Sequence, residues 1–183
     1  IPISLSGLGD APLLHTLRAV GPVSAALAKL TPGKTLGLRG PFGTGWPLGE
    51  AQGRDVVIVA GGLGLAPLRP ALTALLGRAK GRLVLLYGAR SPDTMLYRRE
   101  FARWRRRGVE IDLTVDHAGR DWDGHVGVVP DLISGLRLDP ARTLALVCGQ
   151  GVVMRNTIAG LLDRGVAETA IYLSLECSMK CGL

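Results

Sequence analysis

The stretch Arg54 to Pro70, RDVVIVAGGLGLAPLRP, decides how the rest of this chain is read. Asp55 to Ala60 is a short continuous apolar run rich in valine and isoleucine, the pattern of a strand buried on both faces. Gly61, Gly62 and Gly64 follow at once, where glycine lets the backbone approach a ligand closely or take a positive φ. Ala66 then opens a helix, with Pro67 near its first turn, where a missing N–H costs nothing. Strand, glycine turn and helix N-terminus together form a cradle for an anion, and the best-matched tenant is a dinucleotide pyrophosphate. The full fingerprint would carry a third glycine where Pro67 stands, so a tight strand-to-helix turn without a ligand is the alternative.

Downstream, apolar strands alternate with amphipathic helices. A helix over Pro67–Arg78 is followed by strand Arg82–Tyr87, helix Asp93–Arg106 and strand Val109–Val115. An irregular loop, HAGRDWDGHVG (117–127), and a short helix near Pro130–Leu136 come next. Strand Thr143–Val147, helix Val152–Arg164 and strand Ala170–Leu173 close the series. The expected fold is α/β, a five-stranded parallel doubly wound (Rossmann-like) sheet over residues 49–176. Its carboxyl-end edge would gather Gly61 to Pro67, Gly88-Ala89-Arg90-Ser91, Asp116-His117, Cys148-Gly149-Gln150 and Ser174-Leu175-Glu176.

Residues 1–48 have a different texture. Ile3 to Ser6 alternates like a half-buried strand, and Leu13–Val20 and Thr35–Arg39 are two more strand candidates. Ser24–Leu30 is helix-like, with Ser24 as its expected N-cap. Three short strands and one helix cannot close a barrel, so this segment is expected to be the C-terminal part of an antiparallel β domain whose first half is absent. The opening Ile1-Pro2 and the final Gly182-Leu183 read accordingly as lying inside a longer polypeptide.

Bulk composition narrows the class. The chain has 183 residues, 47% of them hydrophobic, enough for a substantial core, and no apolar run approaches bilayer length. Three cysteines in unlike contexts argue against a disulfide scaffold and for a reducing, cytoplasmic setting. Much of the +7 net charge sits in RREFARWRRR (98–107). Nucleic-acid binding is one reading of that run, but it lacks paired aromatics or a recognised binding module. A solvated helix face, or a dock for an acidic partner protein, is the reading adopted.

Individual candidates divide in the same way. Where an acidic residue would hold the ribose of NAD, the chain has Arg90 and Ser91, which suit a 2′-phosphate. An exposed loop arginine is the other reading, so NAD against NADP stays open. Cys148 at a strand-to-turn junction suits either a core or a site. His15, His117 and His125 share no ligand spacing, and Trp122 reads as packing. No G-x-S-x-G nucleophile elbow is present.

Taken in order, Gly61-Gly62-Leu63-Gly64-Leu65-Ala66-Pro67, Tyr87-Gly88-Ala89-Arg90 and Cys148-Gly149-Gln150 resemble the nucleotide-binding half of the ferredoxin–NADP⁺ reductase family. The likeness is to the flavin-containing electron-transfer subunits of soluble hydrogenases, anaerobic sulfite reductase and dihydroorotate dehydrogenase. The resemblance implies that Pro2, Ile3 and Ser4 lie along the isoalloxazine ring. It implies that Leu17 and Arg18 line the flavin ribityl and phosphate, and that Gly21, Val23 and Ser24 hold the FAD pyrophosphate. Gly40-Pro41-Phe42-Gly43 resembles the close of the flavin domain. Gly62, Gly64, Leu65, Ala66, Pro67, Gly88, Ala89, Arg90, Ser91, Cys148, Gly149 and Gln150 would hold NAD(P). Ser4 and Cys148, with Glu176 as a third candidate, would line the meeting point of nicotinamide and flavin. The last segment, LSLECSMKCGL (173–183), resembles the start of a [2Fe–2S]-binding run in which Cys181 is the first thiolate ligand and Cys177 is not a ligand. A cluster needs four thiolates, and residues 177–183 would supply only its beginning.

The implied function is hydride transfer between NAD(P)H and FAD, with electrons relayed through a [2Fe–2S] cluster to a catalytic redox partner subunit. The isolated 183-residue chain is expected to hold FAD weakly or not at all. Two other classes compete: a non-catalytic nucleotide-binding or regulatory module that has lost flavin, and a nucleic-acid binder resting on charge alone.

Overall fold

The computed structural model describes residues 1–8 and 12–175. In chain order the elements are α1 (Pro22–Ala28), β1 (Asp55–Gly61), α2 (Leu65–Leu75), β2 (Leu83–Ala89), α3 (Arg98–Arg106), β3 (Val109–Val115), β4 (His125–Val126), α4 (Val129–Gly135), β5 (Thr143–Cys148), α5 (Gly151–Asp163) and β6 (Ile171–Ser174). The strands form one sheet in the order β4-β3-β2-β1-β5-β6. Every pairing is parallel.

Burial on both faces follows from the strand sequences. Side chains of β1 alternate across the sheet. Val56, Ile58 and Ala60 join the core built with α2 and α3, and Val57 and Val59 join the core built with α4 and α5. Helix α2 contributes Leu65, Leu68, Ala71, Leu72 and Leu75, all buried and spaced as one helical face. Helix α3 buries only Phe101 and Trp104, and its arginines are exposed.

The sheet has six strands, against the five expected. The extra one, β4, is a two-residue pairing of His125 and Val126 with Thr114 and Val115. A pair this short at an exposed edge has no periodicity to read, so it lay hidden in the loop 117–127. The expected helix over Asp93–Arg106 is also divided. A 3-10 turn covers Pro92–Thr94, and α3 begins only at Arg98. Between them the Leu96 amide donates to the Tyr87 hydroxyl (2.9 Å), and Tyr97 takes a left-handed backbone, φ 55°. Both interrupt a continuous helical ladder.

The first 48 residues depart further from expectation. Neither Leu13–Val20 nor Thr35–Arg39 is a strand; the pairing present is an isolated antiparallel bridge between Leu5 and His15. An extended segment becomes a strand only beside a partner. Ser24 is not the N-cap of α1: Gly21 holds that position and Ser24 is the third residue of the helix. The Ser24 hydroxyl instead accepts from the Val20 and Gly21 amides (3.1 and 3.0 Å). Many apolar side chains here face outward, including Val20, Leu36, Leu38 and Phe42. Among the described residues no helix is long and apolar enough to cross a membrane.

Candidate functional site

Parallel pairing brings the carboxyl ends of the strands to one edge. Ala60 is level with Cys148, Gly61 with Gly88, Ala89 with Val115, and Cys148 with Ser174. The glycine turn, the Arg90 corner and the Cys148 corner therefore share that edge.

The turn is built by close backbone packing. A Cβ on Gly64 would lie 2.3 Å from the Cys148 carbonyl oxygen and 2.9 Å from the Gly149 amide nitrogen. One on Gly149 would lie 3.2 Å from Gly61 Cα. Gly62 differs: its φ is 54° and nothing stands within 4 Å of where its Cβ would be. The backbone of Gly62 thus faces open space over a turn that is tightly backed. Its carbonyl accepts from the Tyr87 hydroxyl (3.2 Å). Burial pushes the Tyr87 phenol up, against smaller lowering effects from its bond to the Leu96 amide and from the Arg18 charge.

Two helices of eleven and thirteen residues start at this edge, α2 after Gly64 and α5 after Gln150. Their first-turn amides lack intrahelical acceptors and their dipoles point positive ends the same way. Pro67 lies in the first turn of α2, where its missing N–H removes no helical bond. The Pro67 carbonyl accepts from Trp46 Nε1 (2.8 Å), which ties residues before β1 to the turn. This open, doubly polarised cradle fits a pyrophosphate.

Around it, Gly88 lets β2 pass under α4, since a Cβ there would meet Val129 Cγ2 at 2.1 Å. Ala89 is buried, and Arg90 is exposed with its carbonyl taking the His117 amide (3.1 Å). Ser91 caps the following turn through Thr94 Oγ1, which the Ser91 amide reaches at 3.1 Å. Leu65 and Ala66 are buried under the turn, and Cys148 is half-buried. Gln150 is the N-cap of α5.

The residues expected around flavin lie on the N-terminal segment. Pro2 and Ser4 are exposed and Ile3 half-buried, with the Ser4 carbonyl accepting from His15 Nδ1 (3.1 Å). Leu17 is half-buried, Arg18 and Val23 are exposed, and Gly21 and Ser24 begin α1. Glu176, Cys177 and Cys181 lie outside the described residues. Among the described residues no group of three or more His, Cys, Asp or Glu is arranged to hold a metal ion.

Sequence reading missed the contacts that fasten these two parts. Arg69 Nη1 donates to the Ser6 carbonyl (2.6 Å), and its Nε to Glu100 Oε1 (2.9 Å). The Arg69 guanidinium lies 4.8 Å from the Tyr97 ring centroid, and the Tyr97 and Thr16 hydroxyls share a 2.6 Å hydrogen bond. No local pattern signals contacts across 63 and 81 residues.

A family model described as the oxidoreductase NAD-binding domain matches residues 58–159. The sulfhydrogenase 2 subunit gamma of Pyrococcus furiosus is 34% identical over all of this chain, which covers 68% of that protein. A probable dihydroorotate dehydrogenase B (NAD(+)) electron transfer subunit from Methanothermobacter thermautotrophicus is 34% identical over 92% of the chain and 58% of its own length. Among solved structures, a ferredoxin NADP+ reductase from Neisseria gonorrhoeae with bound FAD and NADP superposes with a TM-score of 0.80 at 22% identity, over 94% of this chain and 78% of that one. The glycine turn, the Arg90 corner and the Cys148 corner all fall within the matched span, and the chain belongs to the oxidoreductase NAD-binding domain family.

Proposed function

We propose that this chain is the nucleotide-binding part of an electron-transfer subunit that moves a hydride between NAD(P)H and FAD. The carrying observation is the single sheet edge where the open Gly62 backbone, two helix N-termini and the Cys148 corner meet. The first-turn amides after Gly64 and Gln150 would take the pyrophosphate. Arg90 and Ser91 stand one strand away, where a ribose 2′-phosphate would reach them, and Cys148 would border the nicotinamide.

Residues 1–48 would contribute to a flavin domain, with Ser4 toward the reacting ring and the α1 turn toward the flavin phosphates. The outward apolar side chains of Val20, Leu36, Leu38 and Phe42 support a covering segment of the same domain. Residues 49–176 would be the NAD(P) domain, and 177–183 the start of a [2Fe–2S] segment with Cys181 as a ligand. When bound, flavin takes up the hydride's electron pair and the cluster passes electrons on singly. The chain's own task is positioning: it fixes the nicotinamide against a neighbour and keeps the pyrophosphate neutralised. Names of the relatives include hydrogenase and dihydroorotate dehydrogenase subunits, so a catalytic redox partner subunit is proposed, in a cytoplasmic setting. The exposed arginines of α3 would offer it a docking face.

Anaerobic addition of NADH or NADPH to the full-length holoprotein tests this reading. The flavin absorbance should bleach within one turnover; a flavin untouched by either nucleotide would overturn it.

A further inference from the structure

The cluster of Arg69, Glu100, Tyr97, Thr16 and Ser6 is not part of the nucleotide cradle, yet it joins the two segments that the reaction must align. Arg69 lies in the second turn of α2, five residues beyond Gly64. It engages Glu100 Oε1 through Nε and Nη2, both at 2.9 Å, and the Ser6 carbonyl through Nη1 at 2.6 Å. Ser6 is fully buried; its amide donates to the Leu14 carbonyl at 2.7 Å, and Thr16 Oγ1 donates to its hydroxyl at 2.9 Å. Ser6 is two residues from Ser4, so fixing one fixes the path of the other.

Tyr97 completes the cluster at a cost. A bulky side chain in the left-handed region is disfavoured, and Tyr97 holds that geometry as the N-cap of α3. It places the ring over Arg69 and the hydroxyl against Thr16. A residue held in an unfavourable conformation by contacts to another segment is suited to fixing that segment's position.

We infer that Arg69 and Tyr97 are positioning residues that latch the Ser4-bearing segment onto the helix leaving the glycine turn, and so set the approach between nicotinamide and its hydride acceptor. This rests on the proposed function above. A misplacement of about 1 Å in such an alignment can cost on the order of a hundredfold in rate.

The test compares full-length holoprotein carrying Tyr97→Phe, Arg69→Met or Arg69→Lys with the unaltered protein and with Lys80→Met, an exposed change in the turn after α2, as control. Hydrogen exchange of the 4–8 and 13–16 amides reads the latch directly. It should rise about tenfold or more in Arg69→Met and less in Tyr97→Phe, with Lys80→Met unchanged. Single-turnover flavin reduction should fall roughly ten- to a hundredfold while flavin content and the NAD(P)H dissociation constant stay within about twofold. Arg69→Lys should restore little, because an ammonium cannot fork between Glu100 and Ser6 or stack on the ring. Unchanged exchange in Arg69→Met overturns the latch whatever the redox result. Faster exchange with an unchanged reduction rate overturns the positioning role alone. A parent flavin that no pyridine nucleotide reduces overturns the positioning role together with the reading it rests on.

Discussion

Gly64 and Cys148 are packed backbone to backbone: a methyl group on Gly64 would stand 2.3 Å from the Cys148 carbonyl oxygen and 2.6 Å from its carbon. No side chain is there to swing aside, so either the turn or the β5–α5 corner must move.

Gly64→Ala should therefore cost about 1–3 kcal/mol of stability, in the range of other overpacking changes. It should also weaken pyridine-nucleotide binding about tenfold or more, since both helix N-termini would be displaced. Gly62→Ala meets no atom, but its φ of 54° penalises any side chain. It should cost about 1 kcal/mol while leaving the Cys148 corner in place. Urea unfolding and nucleotide titration of both variants check the contrast.

Arg90 stands exposed at the end of β2, with no acidic residue at the strand's tip. Arg90→Ala should raise the dissociation constant for NADPH about tenfold or more and leave that for NADH within about twofold. The asymmetry follows because a guanidinium is matched to a phosphate and gains little from a hydroxyl. Parallel titrations with the two nucleotides measure it.

Arg82 and Glu110 join β2 to β3 through two short contacts, Nε to Oε1 at 2.8 Å and Nη2 to Oε2 at 2.6 Å. The bond from Arg82 holds the Glu110 carboxyl below its ordinary range. A carboxyl lowered in the folded state stabilises fully above its unfolded pKa, about 4.3 for glutamate. That stabilisation is lost as pH falls through the folded value. Both side chains are substantially exposed, so solvent screening limits the pair to about 0.2–1 kcal/mol. Glu110→Gln should remove that share of the acid destabilisation as pH falls below about 5 and leave the neutral-pH profile otherwise parallel, as read by thermal melts across pH.

How much was legible from sequence depended on whether the signal was local. β1, β2 and β5 were readable because each is an apolar run closed by turn residues, and β3, VEIDLTV, because apolar residues recur at every second position. The site-bearing glycines were readable because their turn lies in one stretch. β4 was not, since two exposed residues make no pattern. The left-handed Tyr97 was not either: its backbone is stabilised by Arg69 and Thr16, which are distant in the chain. Ser24 sits three positions past the N-cap because its hydroxyl takes the reciprocal half of a capping box: from the third helical residue it reaches back to the amides of Gly21 and Val20, and a serine near a helix start suits either half by sequence alone. The strand candidates at 13–20 and 35–39 had strand-like sequences but, among the described residues, only the Leu5–His15 bridge as pairing.

The central claim is that the sheet's carboxyl edge is one pyridine-nucleotide site. Amide chemical-shift mapping of this chain during titration with NADPH and NADH tests it most directly. Gly62, Gly64, Arg90 and Gly149 should shift together and saturate with one dissociation constant, while Arg105, Asp112 and Trp122, around the cavity at the β3–β4 edge, stay still. Shifts confined to that cavity, or none at millimolar nucleotide, would contradict the account.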